Sequence, residues 1–299
     1  MIKIANLIMA YKEPTQVERL IKKLGHKGFD FYIHLDKKSD FSQFAYLSSL
    51  PNVYFTNTRI TIYWGSYNFT EAIIKCTREI LEKEENYAFV NLMSGQDYPL
   101  QSPDYIHDFF SNNTDKSFMS YEAEGSEWWR GAINRIERYH MTNFSFRGRY
   151  LLQSIINKIL PKRKFPLPVT LYGTNCTTWW AINRECATYL VNYFNSNKKL
   201  QRFCSYTWAP DEFLIPTIMM NSPFKDRVVN NNLRHIDWSG GGAHPKIFSS
   251  CDLADLKNSD KLFARKFDIN VDAAILDKID QILEKGSSKI NRSTALQLS

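Results

Sequence analysis

Tyr87-Ala-Phe-Val-Asn-Leu-Met93 runs straight into Ser94-Gly-Gln-Asp-Tyr-Pro-Leu100. A run this apolar and this short reads as a strand buried on both faces, and such strands belong to parallel sheets. Gly95 and Pro99 then shape a turn at its C-terminal end. In open parallel sheets that end faces the ligand crevice, so Ser94-Gly-Gln-Asp97 is a ligand-facing turn or simply a turn.

Upstream, Ala72, Ile73, Cys76, Ile80 and Leu81 share one face of a helix expected from about Asn68 to Lys83. Val53–Thr56 and Phe29–Leu35 read as strands, the latter closed by the charged turn Asp36-Lys-Lys-Ser-Asp40. Residues 2–10 form a further strand that ends before Lys12-Glu-Pro14, after which Val17, Leu20, Ile21 and Leu24 recur at helical spacing. The resulting order β-α-β-β-α-β argues for an α/β fold with a mostly parallel central sheet flanked by helices. Its unusual residues gather at strand ends: Ala10-Tyr11, Asp36-Lys37-Lys38 and Ser94-Gly95-Gln96-Asp97.

Beyond residue 110 the pattern loosens around the aromatic-basic stretch Trp128-Trp129-Arg130, a helix Tyr150–Ile159 and the basic loop Lys162-Arg163-Lys164. We read this region as acceptor-side loops. Regular structure resumes with a strand over Thr177–Asn183 and helices over Glu185–Asn195, from about Pro210, and over Asp272–Lys285. One domain over residues 1–285 is expected, in two interlocked halves that meet near residue 110, with a polar tail over 286–299.

The 299 residues are 43% hydrophobic and carry a formal charge of +7. No apolar run approaches the roughly 20 residues of a membrane-spanning helix, and the apolar start is too short for a secretory signal. A cytosolic location with reduced, core-type cysteines is therefore expected. The charge admits nucleic acid, a membrane surface or a phosphorylated substrate. A single-strand reader would carry its aromatics on a strand platform; here they stand at element ends and in loops. Neither a Ser/His/Asp set nor a His-Glu-x-x-His helix nor a cysteine-rich zinc pattern is present. A glycoside hydrolase needs two facing carboxylates, whereas Asp211 and Glu212 are neighbours.

Three stretches carry possible chemistry. Ala209-Pro-Asp-Glu-Phe213 sets two carboxylates at an expected helix start, either as cap and dipole partners or in a cleft flanked by Trp208 and Phe213, with Asp211 free to cap while Glu212 points elsewhere. Leu262-Phe-Ala-Arg-Lys-Phe-Asp268 holds two cations between phenylalanines, as a solvated basic turn or as fixed charge for a leaving phosphate. Gly240-Gly-Gly-Ala-His-Pro245 matches neither the dinucleotide fingerprint nor the phosphate loop. His34 and His244 are single histidines that read as structural.

Taken in order, Phe31-Tyr-Ile-His-Leu-Asp-Lys-Lys-Ser39, Trp64-Gly-Ser66, Ser94-Gly-Gln-Asp-Tyr-Pro99, Trp179-Trp-Ala-Ile-Asn-Arg-Glu185 and the two carboxylate and cation stretches resemble the core-2/I-branching β-1,6-N-acetylglucosaminyltransferase family, which includes peptide O-xylosyltransferases. The resemblance covers about Ile4 to Leu276 and implies a nucleotide-binding half over 1–110 and an acceptor-binding and catalytic half over 111–285. It implies a GT-A type, Rossmann-like nucleotide-sugar fold and an inverting, metal-independent glycosyltransferase that uses a UDP-sugar, UDP-N-acetylglucosamine first, with UDP-xylose or a UDP-hexose as the alternative. The base falls on Glu212. Uridine contacts fall on Met9, Ala10, Tyr11, on Asp36 with Lys37 and Lys38, and on Trp64. The diphosphate falls to Lys266, with Arg265 or His244 standing in for an arginine that has no match, and Asp97 is the acid at the donor-side turn. Acceptor contacts fall on Trp128, Trp129, Arg130, Trp180, Asp211 and Trp238. No cofactor and no divalent metal is expected. The chain lacks the anchor and cysteine framework of Golgi members and so looks like a bacterial-type member that serves surface polysaccharide synthesis. Its acceptor would be a glycan or lipid-linked oligosaccharide, and its basic loop would meet the anionic inner membrane face. The oligomeric state is left open.

Overall fold

In the computed structural model of the chain, residues 1–176, 178–242 and 244–284 are described. Lys3–Ala10 (β1), Phe29–Leu35 (β2) and Val53–Phe55 (β3) lie side by side in parallel, and Tyr87–Ser94 (β4) flanks β1 on its other edge, also parallel. The register sets Met9 beside both His34 and Ser94, so the C-terminal ends of β1, β2 and β4 are level. Asp97–Pro99 (β5) leaves this sheet at once. Ser117–Met119 (β6) returns to it, and Glu122–Ala123 (β7) pairs with Tyr172–Gly173 (β8) as a short antiparallel ribbon. Ala181–Asn183 (β9) lies antiparallel between β4 and β6, and Val228–Asn230 (β10) runs parallel along β6. The seven strands are ordered β10-β6-β9-β4-β1-β2-β3. Arg234–Ile236 (β11) and Phe263–Arg265 (β12) are parallel to one another, and β12 is antiparallel to β5 in a second, three-stranded sheet.

The α/β class with a mostly parallel sheet, read from the sequence, is the one observed. Because β6, β9 and β10 come from beyond residue 110, the two expected halves share one sheet. Side chains alternate across it as strand geometry requires. Ala5, Leu7 and Met9 of β1 and Val90 and Leu92 of β4 pack on one face, where the helix Tyr67–Leu81 brings Ile73, Cys76 and Ile80. Ile4, Ile8, Phe89 and Met93 pack on the other, under Val17, Leu20 and Ile21 of the helix Pro14–Lys23. Each such side chain is worth about 1.5–3 kcal/mol when fully buried, so these two layers fix the strand ends that carry the site.

Several expectations need correction. The helix expected from Pro210 is a single 3-10 turn, Pro210–Glu212, followed by the helix Leu214–Met220. Lys198–Cys204 forms a helix that periodicity did not reveal. The last helix is Ala274–Glu284, and the polar tail 286–299 lies outside the described residues. Cys76, Cys186 and Cys204 are buried as expected of core thiols, but Cys251 is exposed. Among the described residues no helix is long and apolar enough to cross a membrane.

Candidate active site

The level ends of β1, β2 and β4 form the floor of a cleft of about 460 Å³. Met9 and Ala10 reach it from the end of β1 and Tyr11 from just beyond it, Asp36 and Lys38 from the turn after β2, and Gln96 from the turn after β4. Asp36 is buried and accepts a bond from Lys38 N at 2.9 Å. Lys38 Nζ in turn donates to Ile62 O at 2.5 Å and lies 4.9 Å from the Tyr63 ring centre, which fastens the 60–65 loop to the floor. Trp64 projects from that loop, 59% exposed, and its ring meets those of Trp208 and His244 at steep angles, with centres 5.4 and 5.8 Å away. Lys37 does not line the cleft; it is exposed, and its N–H bonds to Ile60 O.

One wall is built by the Pro210 turn. Ala209 adopts a left-handed backbone with φ 47 and donates to Gly65 O at 2.8 Å. Gly65 itself has φ +66, and a Cβ on it would stand 2.2 Å from Trp208 Nε1, so the position requires glycine. Asp211 does not cap; it is buried and accepts from Thr178 Oγ1 at 2.8 Å. Burial holds the Asp211 carboxyl above the usual range. Glu212 lines the cleft and is ion-paired with Arg135, whose guanidinium rests 4.4 Å from the Trp208 ring centre and 5.2 Å from that of Trp128. Burial pushes the Glu212 carboxyl up to about 7, with Arg135 opposing the rise and Asp211 adding to it. A carboxylate tuned to that range suits a general base at neutral pH. Behind it, Thr174 N donates to Glu212 O, and a Cβ on Gly173 would meet that oxygen at 2.6 Å. The β8 backbone thus clamps Glu212 from outside the cleft.

β12 delivers the cations. Arg265 Nη1 meets Asp97 Oδ1 at 2.9 Å, and its guanidinium lies 4.3 Å from the Trp179 ring centre. Asp97 is fully buried and absent from the cleft lining, so its expected place as a donor contact is corrected. The register of the second sheet pairs Asp97 directly with Arg265, which makes it a positioning group for that cation. Burial raises the Asp97 carboxyl pKa, against the pull of Arg265 and Arg234. Lys266 lines the cleft, and among the described residues no acceptor meets its ammonium. Burial, then Arg265 and Lys12, hold its pKa below the usual lysine range, with Asp268 opposing. Burial, then Lys266 and Arg265, lower the His244 pKa as well, which favours its neutral form where it faces the cleft.

The acceptor assignments divide. Asp211 and Trp238 line the cleft. Trp128 lies beneath Arg135, and Trp129 is buried against Phe213 with its indole N–H on Glu122 O at 3.1 Å. Arg130 is exposed away from the lining. Trp180 is fully enclosed in the core, because neighbours in an extended segment face opposite ways; Trp179 takes the cleft side. Arg135, Thr178 and Trp179 belong to the site although no sequence signal assigned them to it, whereas Gln96 falls in the strand-end turn read as ligand-facing. For Arg135 the one signal was a cation shortly after two tryptophans. His34 accepts from Ile60 N, and burial lowers it to about 4, yet it lines the cleft, as His244 does, so the purely structural reading of both histidines is corrected.

Curated relatives include a "Xylosyltransferase" of Ciona intestinalis, 24% identical over 92% of this chain and 33% of its own length, and the "Xylosyltransferase 1" of Rattus norvegicus, 25% identical over 93% of this chain and 35% of its own. The chain thus spans about a third of the length of the relatives it matches. Among solved structures, the apo form of mouse xyloside xylosyltransferase 1 aligns with a TM-score of 0.34 and 10% identity over 73% of this chain and 81% of that one, a likeness too slight to carry an argument. The model of the Core-2/I-Branching enzyme family matches residues 4–259, which include the strand-end floor and the Glu212 wall, and the chain belongs to that family.

Proposed function

We propose that the chain is an inverting glycosyltransferase that moves a sugar from a UDP-sugar to an acceptor hydroxyl, with Glu212 as the base. The observation that carries this reading is Glu212 itself: a carboxyl whose pKa burial raises to about 7, in the same cleft as a strand-end floor and Lys266, whose ammonium meets no acceptor among the described residues. Tyr11, Asp36 and Trp64 would seat the uridine, and Lys266 the diphosphate. The acceptor hydroxyl gives its proton to Glu212 as its oxygen bonds to the anomeric carbon. The bond from that carbon to the phosphate oxygen breaks, its electron pair leaves with UDP, and the new negative charge meets Lys266. A single displacement inverts the centre.

Independence from a divalent ion is part of the proposal. Its support is that Asp97, the acid at the donor-side turn, is engaged by Arg265. The resemblance favours UDP-N-acetylglucosamine as donor, while the names of the curated relatives favour UDP-xylose; the acceptor is a glycan or lipid-linked oligosaccharide. Incubating the protein in EDTA with UDP-N-acetylglucosamine, UDP-xylose, UDP-galactose and UDP-glucose, and following UDP release, tests the reading. Hydrolysis of one donor supports it and names the sugar. Failure of every donor to bind contradicts it.

A further inference from the structure

The helix Arg149–Ile159 has its amphipathicity reversed. Gln153 and Asn157, one turn apart, face the protein: Gln153 Oε1 accepts from Met141 N, and the Asn157 side chain bonds both Tyr139 N and Tyr139 O, each at 2.8 Å. Leu151, Ile155 and Ile159 repeat at the same spacing on the opposite side and face solvent, at 69%, 44% and 74% exposure. No residue of the helix is buried. Of the fifteen large hydrophobics exposed among the described residues, seven fall between Phe146 and Leu160, so this is a patch and not scatter.

The surrounding charge has one sign. Between Glu137 and Glu185 the sequence holds no Asp or Glu, while seven Lys or Arg fall from Arg138 to Lys164. Some are engaged: Lys162 pairs with Glu137, and Arg163 turns inward onto the carbonyls of Phe203 and Tyr206. Arg147, Lys158 and Lys164 are exposed beside the apolar face. The patch also adjoins the cleft. Asn143 Oδ1 accepts from Asn68 N at 3.0 Å, and Thr142 Oγ1 donates to Gly65 O at 3.2 Å, next to Trp64. Tyr63 lines both the cleft and a surface hollow shared with Phe146, Arg147 and Tyr150.

We propose that this face seats the protein on an anionic lipid surface, with the 149–159 helix lying in the interface and its apolar side in the acyl boundary. Apolar residues outward with lysine and arginine at the rim is the arrangement by which interfacial helices bind such surfaces. The continuity with Tyr63 and Trp64 sets the mouth of the cleft beside that surface. The role moves from the 162–164 loop, whose first two cations are engaged, to the helix.

The test is sedimentation with vesicles of phosphatidylcholine alone and of phosphatidylcholine mixed with an equal part of phosphatidylglycerol, a readout that needs no sugar transfer. The wild-type chain should partition to the anionic vesicles, less so in high salt. Leu151→Ser/Ile155→Ser/Ile159→Ser should weaken that partition about tenfold or more, since it removes three inserted apolar side chains. As these side chains are exposed, the variant should melt with the wild type. Wild-type protein that stays in solution, or a variant that binds as the wild type does, overturns the proposal. So does a wild-type dimer that the triple change makes monomeric without any vesicle binding, which would assign the face to a second copy.

Discussion

Arg135→Gln removes the cation that opposes the rise in the Glu212 pKa while leaving a side chain able to hydrogen-bond. The pair is enclosed, with side chains 13% and 21% exposed, so solvent screens it little. Two unit charges about 3 Å apart at an effective dielectric of about 20 attract by roughly 5 kcal/mol. Relaxation, entering water and the amide's own bond return about half of that, leaving roughly 2–3 kcal/mol, or about two pKa units at about 1.4 kcal/mol each. Glu212 would then titrate near 9 instead of about 7. At pH 7 the ionised base falls from about half to about one hundredth, a loss of roughly fiftyfold in kcat/KM. A base needs its deprotonated form, so activity should recover as pH rises through the new value. The assay is kcat/KM from pH 5.5 to 10 for both proteins. An acid limb that stays near 7 with the whole profile lowered would refute the tuning argument and leave Arg135 as a positioning group only.

Lys266→Ala should cut turnover about a hundredfold while activity stays insensitive to EDTA; activity lost in EDTA, restored by manganese and retained in the variant would shift that role to a metal. Trp64→Ala should weaken UDP and its UDP-sugar alike, by about tenfold, as loss of a base-facing aromatic does; calorimetry with both ligands checks it, and a loss confined to the acceptor would move Trp64 across the cleft. Gly173→Ala should lower kcat at least tenfold with UDP affinity unchanged, because its Cβ would push on Glu212 O and Phe213 rather than on the nucleotide floor.

The strands β1, β2 and β4 were legible because each is a long apolar run, and long runs outvote local ambiguity. Their ends followed from the geometry of parallel sheets, which is why Ala10, Tyr11, Asp36 and Gln96 fell at the floor. The second sheet was not legible: β5, β11 and β12 are three residues each, too short for any period to register. That gap misplaced Asp97, whose role depends on pairing with Arg265 from 168 positions away. Arg135 escaped for the same reason, since its partner Glu212 is 77 positions distant and no local spacing announces the contact. Trp179 and Trp180 look equivalent in the sequence, and only the direction of the extended chain separates the cleft residue from the core residue.

In the proposed reaction Glu212 takes the acceptor's proton. Glu212→Gln keeps the shape and a hydrogen-bond acceptor for Arg135 but cannot take up that proton. UDP affinity, measured by calorimetry, should match the wild type, while sugar transfer should fall by about 10²–10⁴-fold. Unlike the Arg135 variant, this one should not recover at high pH. Near-normal transfer by Glu212→Gln at pH 7 would contradict the account.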